Sequence, residues 1–249
     1  DIARGGTLCQ QTTRAPIQVD GNAYVRPGGI WTHTRNGGSD LGYGVYATVA
    51  GNLVVEPGGL VTAKGKGYNG ACGPGKSIAA SHGGSYGARY LAVAAPSYGS
   101  VFTPALLGSG GYYYSTAGGR VRLEVGGAAA IDGEIDADGE RADYSHCTGG
   151  SILLVCGTLT GSGWVHAHGA YVSVGCGGRV AVKQSRATDF AAFTVRISAC
   201  GGTQIATIGG TPAAPAGTVY LQSAGAAANA GTVYVRNGNS TLHTGTGGT

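Results

Sequence analysis

The chain has no methionine, and charge is scarce: Lys, Arg, Asp and Glu make up 11% of its 249 residues, against about 25% in ordinary globular domains. The net charge of +4 comes from scattered cations. Phosphate backbones are held by clustered cations, so the lack of a basic run argues against nucleic acid as a partner. No apolar run approaches the ~20 residues of a membrane-crossing helix, so helical membrane insertion is not expected. Only eight prolines accompany fifty glycines, and the glycines keep no three-residue period, which excludes a collagen-like triple helix. The six cysteines include no CxxC or finger-like spacing, which argues against a structural zinc site. Between Glu56 and Glu124 there is no carboxylate at all. With Asp1 first and "TGTGGT" last, the sequence reads as a segment of a longer chain.

What is present is glycine and repetition. The apolar fraction of 42% excludes a disordered tail, and the wealth of Gly, Thr, Val and Ala points to strands and turns. "DGNAYVRPGGIWTHTRNG" (20–37) overlays "AGNLVVEPGGLVTAKGKG" (50–67) at a shift of 30 residues without a gap. "VTAKG" (61–65), "IDADG" (135–139), "VHAHG" (165–169) and "ISACG" (197–201) form a second series. A third contains "GGRVRLEV" (118–125), "GGSILLVC" (149–156), "GGRVAVKQ" (177–184), "AGTVYLQS" (216–223) and "AGTVYVRN" (230–237).

Each phrase alternates apolar and polar residues, as a strand with one buried face does. Stacking them predicts inward columns Val121, Ile152, Val180, Val219, Val233 and Leu123, Leu154, Val182, Leu221, Val235. The "IDADG" series predicts Ile135, Val165, Ile197 beside Ala137, Ala167, Ala199. Equivalent side chains at a fixed interval favour a stacked repeat over a β-sandwich. The expected fold is therefore all-β: a single-stranded right-handed parallel β-helix with ~30 residues per coil. It is expected to form one domain over 1–249, with a long Gly/Tyr-rich loop inserted at about 66–117.

The phrases "SHGGSYG" (81–87), "YGSVFTPALLGSGG" (98–111), "AGGRVRLEVGGAAAIDGEIDADGE" (117–140) and "GGSILLVCGTLTGSGWVHAHG" (149–169) resemble secreted, glycine-rich β-helix repeat proteins of microbial surfaces. "GTLTGSG" is also similar to adhesin and autotransporter passengers. The resemblance covers most of the chain from about residue 50 and rests on structural motifs. It implies a large surface protein and supplies no catalytic residues. More cysteine and tyrosine and less glycine than usual set this chain apart from that pattern.

Chemistry concentrates in "AIDGEIDADG" (130–139) and "GSGWVHAHG" (161–169). With Ile135 and Ala137 inward, Asp136 and Asp138 are expected to face solvent, with His166 and His168 beside them at ~5 Å. Carboxylate and imidazole at that spacing suit a divalent transition metal, whereas Asp132, Glu134, Asp136 and Asp138 on one strand do not wrap a calcium ion. The competing reading is a solvated strand face. Beyond such a metal no cofactor is expected. Disulfides are expected among Cys9, Cys72, Cys147, Cys156, Cys176 and Cys200, with Cys147–Cys176 and Cys9–Cys72 as pairings, which would imply an oxidising compartment. Asn239 heads a glycosylation sequon. Tyr112, Tyr113, Tyr114, Tyr220 and Tyr234 are candidates for contact with a partner or glycan.

No facing acid and base of a polysaccharide lyase or hydrolase stands out, and no enzyme activity is expected. "GPGKS" (73–77) lacks the spacing of a phosphate loop and reads as a glycine turn. The expected role is structural, at an extracellular or cell-surface location, forming or decorating a fibre, appendage, sheath or adhesive surface. Self-association or neighbouring surface proteins are the expected partners. A carbohydrate-binding module is the alternative, and a glycan-cleaving enzyme a more distant one.

Overall fold

The computed structural model describes residues 1–12, 14–76, 82–83, 95–111, 116–140, 147–170, 175–194, 196–202 and 214–237. They form strands and turns, with no helix among the described residues. Three sheets share the strands. The six-stranded sheet runs in the order β1 (Thr7–Gln10), β4 (Ile30–His33), β7 (Leu60–Thr62), β10 (Glu134–Asp136), β13 (Trp164–His166) and β15 (Arg196–Ser198). The seven-stranded sheet starts with β2 (Ile17–Val19), β5 (Val45–Val49), β8 (Arg120–Val125) and β11 (Ser151–Cys156). It ends with β14 (Arg179–Gln184), β16 (Thr218–Gln222) and β17 (Thr232–Tyr234). The four-stranded sheet contains β3 (Ala23–Val25), β6 (Leu53–Val55), β9 (Ala128–Ile131) and β12 (Thr158–Thr160).

This division corrects the expected single-stranded right-handed parallel β-helix. The chain visits separate sheets, the four-stranded one has no described strand after β12, and the seven-stranded one ends in the antiparallel pair β16–β17. A closed solenoid is not shown. What the structure establishes is an all-β fold of three mostly parallel sheets.

The strand register follows the repeats. Leu53 stands beside Ala23 and Leu60 beside Ile30, the ungapped shift of 30 residues. Ile135 pairs with Val61 across the insertion, then with Val165, which pairs with Ile197. All three sheets turn apolar residues into one core, including Val55, Leu123, Ile131, Ile152, Leu159 and Val165. Ala137, Ala167 and Ala199 lie buried beside them. The last repeat departs from the predicted columns. Because β17 is antiparallel, Tyr234 packs against the core while Val233 and Val235 are 44% and 63% exposed. A second "AGTVY" only 14 residues after the first leaves too little chain for a parallel return, so the segment folds back as a hairpin.

Glycine sets the distance between successive strands at the corners preceding β8, β11, β14 and β16. A Cβ on Gly150 would collide with the Gly119 carbonyl oxygen, one on Gly178 with that of Gly150, and one on Gly217 with that of Gly178. The described parts of the insertion lie over these corners. Gly67 donates to Ala117 O at 2.8 Å, Gly108 to Gly118 O at 3.0 Å and Gly83 to Gly177 O at 3.1 Å. Two buried arginines fasten the same segment to the sheet: Arg120 Nη1 donates to Ala105 O at 3.1 Å and Arg179 Nε to Tyr98 O at 2.7 Å. Tyr112, Tyr113 and Tyr114 lie outside the described residues.

The expected disulfides are not formed. The Cys147 thiol donates to the Glu140 carbonyl at 2.9 Å, and Cys156 is a core residue whose sulfur lies 3.8 Å from Lys183 O. Cys9 is exposed near Thr34, whereas Cys72 lies in the insertion, its amide bonded to Asn69 O at 3.1 Å.

Two predictions follow from this packing. Gly178→Ala should destabilise the fold by about 3 kcal/mol or more, because the collision is with backbone that cannot rotate away. Gly21→Ala, where an added Cβ meets nothing within 4 Å, should change stability by less than about 0.5 kcal/mol. Urea unfolding of the two variants checks the contrast.

The second concerns buried histidines. His33 and His82 are inaccessible, and each holds Nδ1 2.8 Å from a carbonyl, of Thr34 and Gly149 respectively. Burial lowers both to about 4, with Arg120 and Lys66 adding to the effect at His33 and Arg179 at His82. The unfolded chain therefore takes up protons that the folded chain refuses. Stability is present above pH ~6.5 and falls as the pH drops towards 4, by up to about 1.4 kcal/mol per pH unit for each ring. Unfolding of His33→Phe and His82→Phe from pH 7.5 to 4 should show a correspondingly shallower slope.

Candidate functional site

The "IDADG" and "VHAHG" phrases meet as expected, but not on a solvated face. Strand alternation carries Glu134, Asp136 and Asp138 to one side of β10 and its following turn, opposite the core residues Ile135 and Ala137. Parallel register then sets Trp164 beside Glu134 and His166 beside Asp136. Asp136 and His166 are buried, and only part of Asp138 and His168 reaches the surface. Trp164 covers the group: its ring centroid lies 4.1 Å from that of His166 and 5.4 Å from that of His168. The Arg196 guanidinium stands 5.5 Å over the indole.

His166 is the hub. Its Nδ1 lies 2.8 Å from Asp138 Oδ1 and its Nε2 2.7 Å from Glu134 Oε1. Carboxylates only accept, so both ring nitrogens carry hydrogen and the ring is an imidazolium. Burial acts against that charge, but Asp138 and then Glu134 outweigh it and hold His166 up to about 10. Asp138 is affected in the complementary way: burial raises it, and the His166 charge and hydrogen bond bring it below the usual carboxylate range. Burial, reinforced by the Asp138 charge, pushes Asp136 up to about 6. Glu134 is held low by its hydrogen bond from His166. Burial takes His168 down to about 4, leaving it neutral.

Backbone and side-chain bonds fix the rest. Asp136 Oδ1 accepts the Asp138 amide at 2.7 Å, and Asp138 Oδ1 accepts the His168 amide at 2.5 Å. His168 Nε2 lies 2.8 Å from Ser198 Oγ, which also accepts Trp164 Nε1–H at 3.2 Å. Sequence reasoning singled out the four central residues but not the parts played by Glu134, Trp164 and Ser198. The available signal was position in the repeat: Glu134 and Trp164 share one register position, and Ser198 shares that of Asp136 and His166. The arrangement can hold a buried cation between carboxylates, whether a proton on His166 or a metal ion among Asp138, His166 and His168.

The other candidates lie elsewhere. Tyr220 is fully buried, with Phe102 edge-on at 5.0 Å, and Tyr234 is half-buried under Arg236. Asn239 falls outside the described residues. A groove of about 380 Å³ is lined by Arg14, Tyr46, Leu106, Arg120, Arg122 and Glu124 among others. Its single acid, Glu124, accepts from Arg122 at 2.5 Å, so the groove presents no opposed pair of carboxylates. No family model matches the chain, and neither a curated protein nor a solved structure matches it at a significant level.

Asp138→Asn should leave a buried imidazolium short of its main counter-charge and destabilise the fold by about 3 kcal/mol. Glu134→Gln, at the exposed rim, should cost less than about 1 kcal/mol. Denaturant unfolding at neutral pH checks the order.

Proposed function

We propose that this chain is a structural protein of an extracellular surface, forming or decorating a fibre, appendage, sheath or adhesive layer by adding copies end to end. One observation carries the reading: exposed apolar side chains stand at the strands that end the ladders. Leu8, 37% exposed, lies in β1, which pairs only with β4 among the described residues. Val233, 44% exposed, lies in β17 at the far end of the seven-stranded sheet, with Val235, 63% exposed, just after it. Strands with an unpaired edge and an apolar side chain favour addition of a further strand. The low charge of the chain weakens repulsion between neighbours. The extracellular placement rests on composition and on the resemblance to microbial surface repeats, since no disulfide supports it.

Light scattering over a concentration series should show growth beyond the monomer, and electron microscopy should show elongated particles. Leu8→Lys and Val233→Lys should each shift the onset of assembly to at least ~10-fold higher concentration while leaving the circular dichroism spectrum unchanged. A monodisperse monomer at every concentration would sink the reading.

A further inference from the structure

Asp138, His166 and His168 each offer a ligand atom within 4.8 Å of the others. We propose that these three side chains bind one divalent transition-metal ion of the zinc, cobalt, nickel or copper class. Two imidazoles and one carboxylate suit these ions and fall well short of the six to eight oxygens that calcium takes.

The spacing is close to what one ion requires. Metal–ligand bonds of ~2.0–2.2 Å place ligand atoms roughly 2.8–3.6 Å apart, from octahedral to tetrahedral angles. Asp138 Oδ1 is 2.8 Å from His166 Nδ1, and Asp138 Oδ2 is 3.8 Å from His168 Nδ1. These distances bracket that interval, and with all three ligand atoms inside 4.8 Å of one another, side-chain shifts of about 1–1.5 Å bring them to one centre. Asp136 Oδ1, 3.9 Å from His166 Nδ1, borders the site without being needed as a ligand.

Ring orientation points the same way. Both histidines turn Nδ1 towards the Asp138 carboxylate, and each has its other nitrogen held from outside. Glu134 Oε1 takes His166 Nε2 at 2.7 Å and Ser198 Oγ meets His168 Nε2 at 2.8 Å. Such outer partners fix the tautomer and direction of metal-binding imidazoles. The holders come from β10 and β15, the two strands flanking β13, so the register of three strands sets the site. On binding, the ion replaces the hydrogen that His166 Nδ1 shares with Asp138, and that proton leaves to solvent. With three protein ligands and a partly exposed rim, one coordination position remains for water. The site is independent of the end-to-end assembly proposed above.

The test is titration of chelator-stripped protein at pH 7.5 with Zn²⁺ by calorimetry and with Co²⁺ by visible absorption. One equivalent should bind, with cobalt bands of nitrogen and oxygen ligation, and millimolar Ca²⁺ or Mg²⁺ should not compete. Zn²⁺ should also raise the thermal midpoint of the wild-type chain in a concentration-dependent way. His168→Gln, at the partly exposed rim, should weaken binding by at least about 100-fold, and Ser198→Ala by about 10-fold, with the circular dichroism spectrum retained. Absence of saturable uptake, wild-type affinity in a folded His168→Gln chain, or thiolate-to-cobalt bands placing the ion at cysteines would overturn the proposal. The wild-type spectrum decides between the imidazole and thiolate sites even if the variant does not fold.

Discussion

Backbone packed directly on backbone, with no side chain between, is the constraint on which the rest of this molecule depends. At Gly150, Gly178 and Gly217 the next strand's approach leaves no room for a Cβ, and the collisions would be with carbonyl groups already committed to hydrogen bonds. Once those corners are fixed, the parallel ladders have their spacing, and β-branched residues fill the interior in register. The same bare corners give the insertion a surface on which Gly67, Gly83 and Gly108 can bond to backbone directly. Fifty glycines, costly in an unfolded chain's entropy, are tolerated where they allow this contact.

The columns of core residues were legible because alternation and a repeat interval are properties of the string itself. Ile135, Val165 and Ile197 read as neighbours in sequence phrases and pair as neighbours in space. Partition into three sheets was not legible, since a phrase records its own pairing partners and not which sheet lies across the corner. Even the reversal of β17 was foreshadowed by the short interval between the two "AGTVY" phrases, although the identical side-chain pattern concealed it. Cysteine failed for a different reason. Equivalent corners bring Cα atoms near each other, but a disulfide depends on where each Cβ points, and the Cys147 thiol points to Glu140 O.

The polar column shows where alternation stops being informative. It separates residues facing the core from residues facing away, and Asp136, Asp138, His166 and His168 do face away from Ile135 and Val165. Facing away is exposure only if nothing covers the outer side. Here Trp164, drawn from the same strand as His166, closes over the rings, and Ser198 on the next strand anchors both the indole and His168. Burial then changes the chemistry. In water the two acids and two histidines would titrate almost independently, whereas under the indole their charges must balance within a few ångströms.

That balance explains why neighbouring residues of like type behave differently. Asp138 takes the short bond to the His166 imidazolium and stays ionised, while Asp136, deeper and further from that ring, is pushed towards its neutral form. His166 is bonded to two carboxylates and is charged; His168, where burial prevails over the pull of Asp138 and the charged His166 ring adds to it, is neutral. Each assignment follows from which position of a repeating phrase a residue occupies, and the phrase is held in place by the glycine corners. The rigidity that stacks strands also keeps two imidazoles and a carboxylate within reach of one centre, so a scaffold with few charges can still maintain one strongly polarised site.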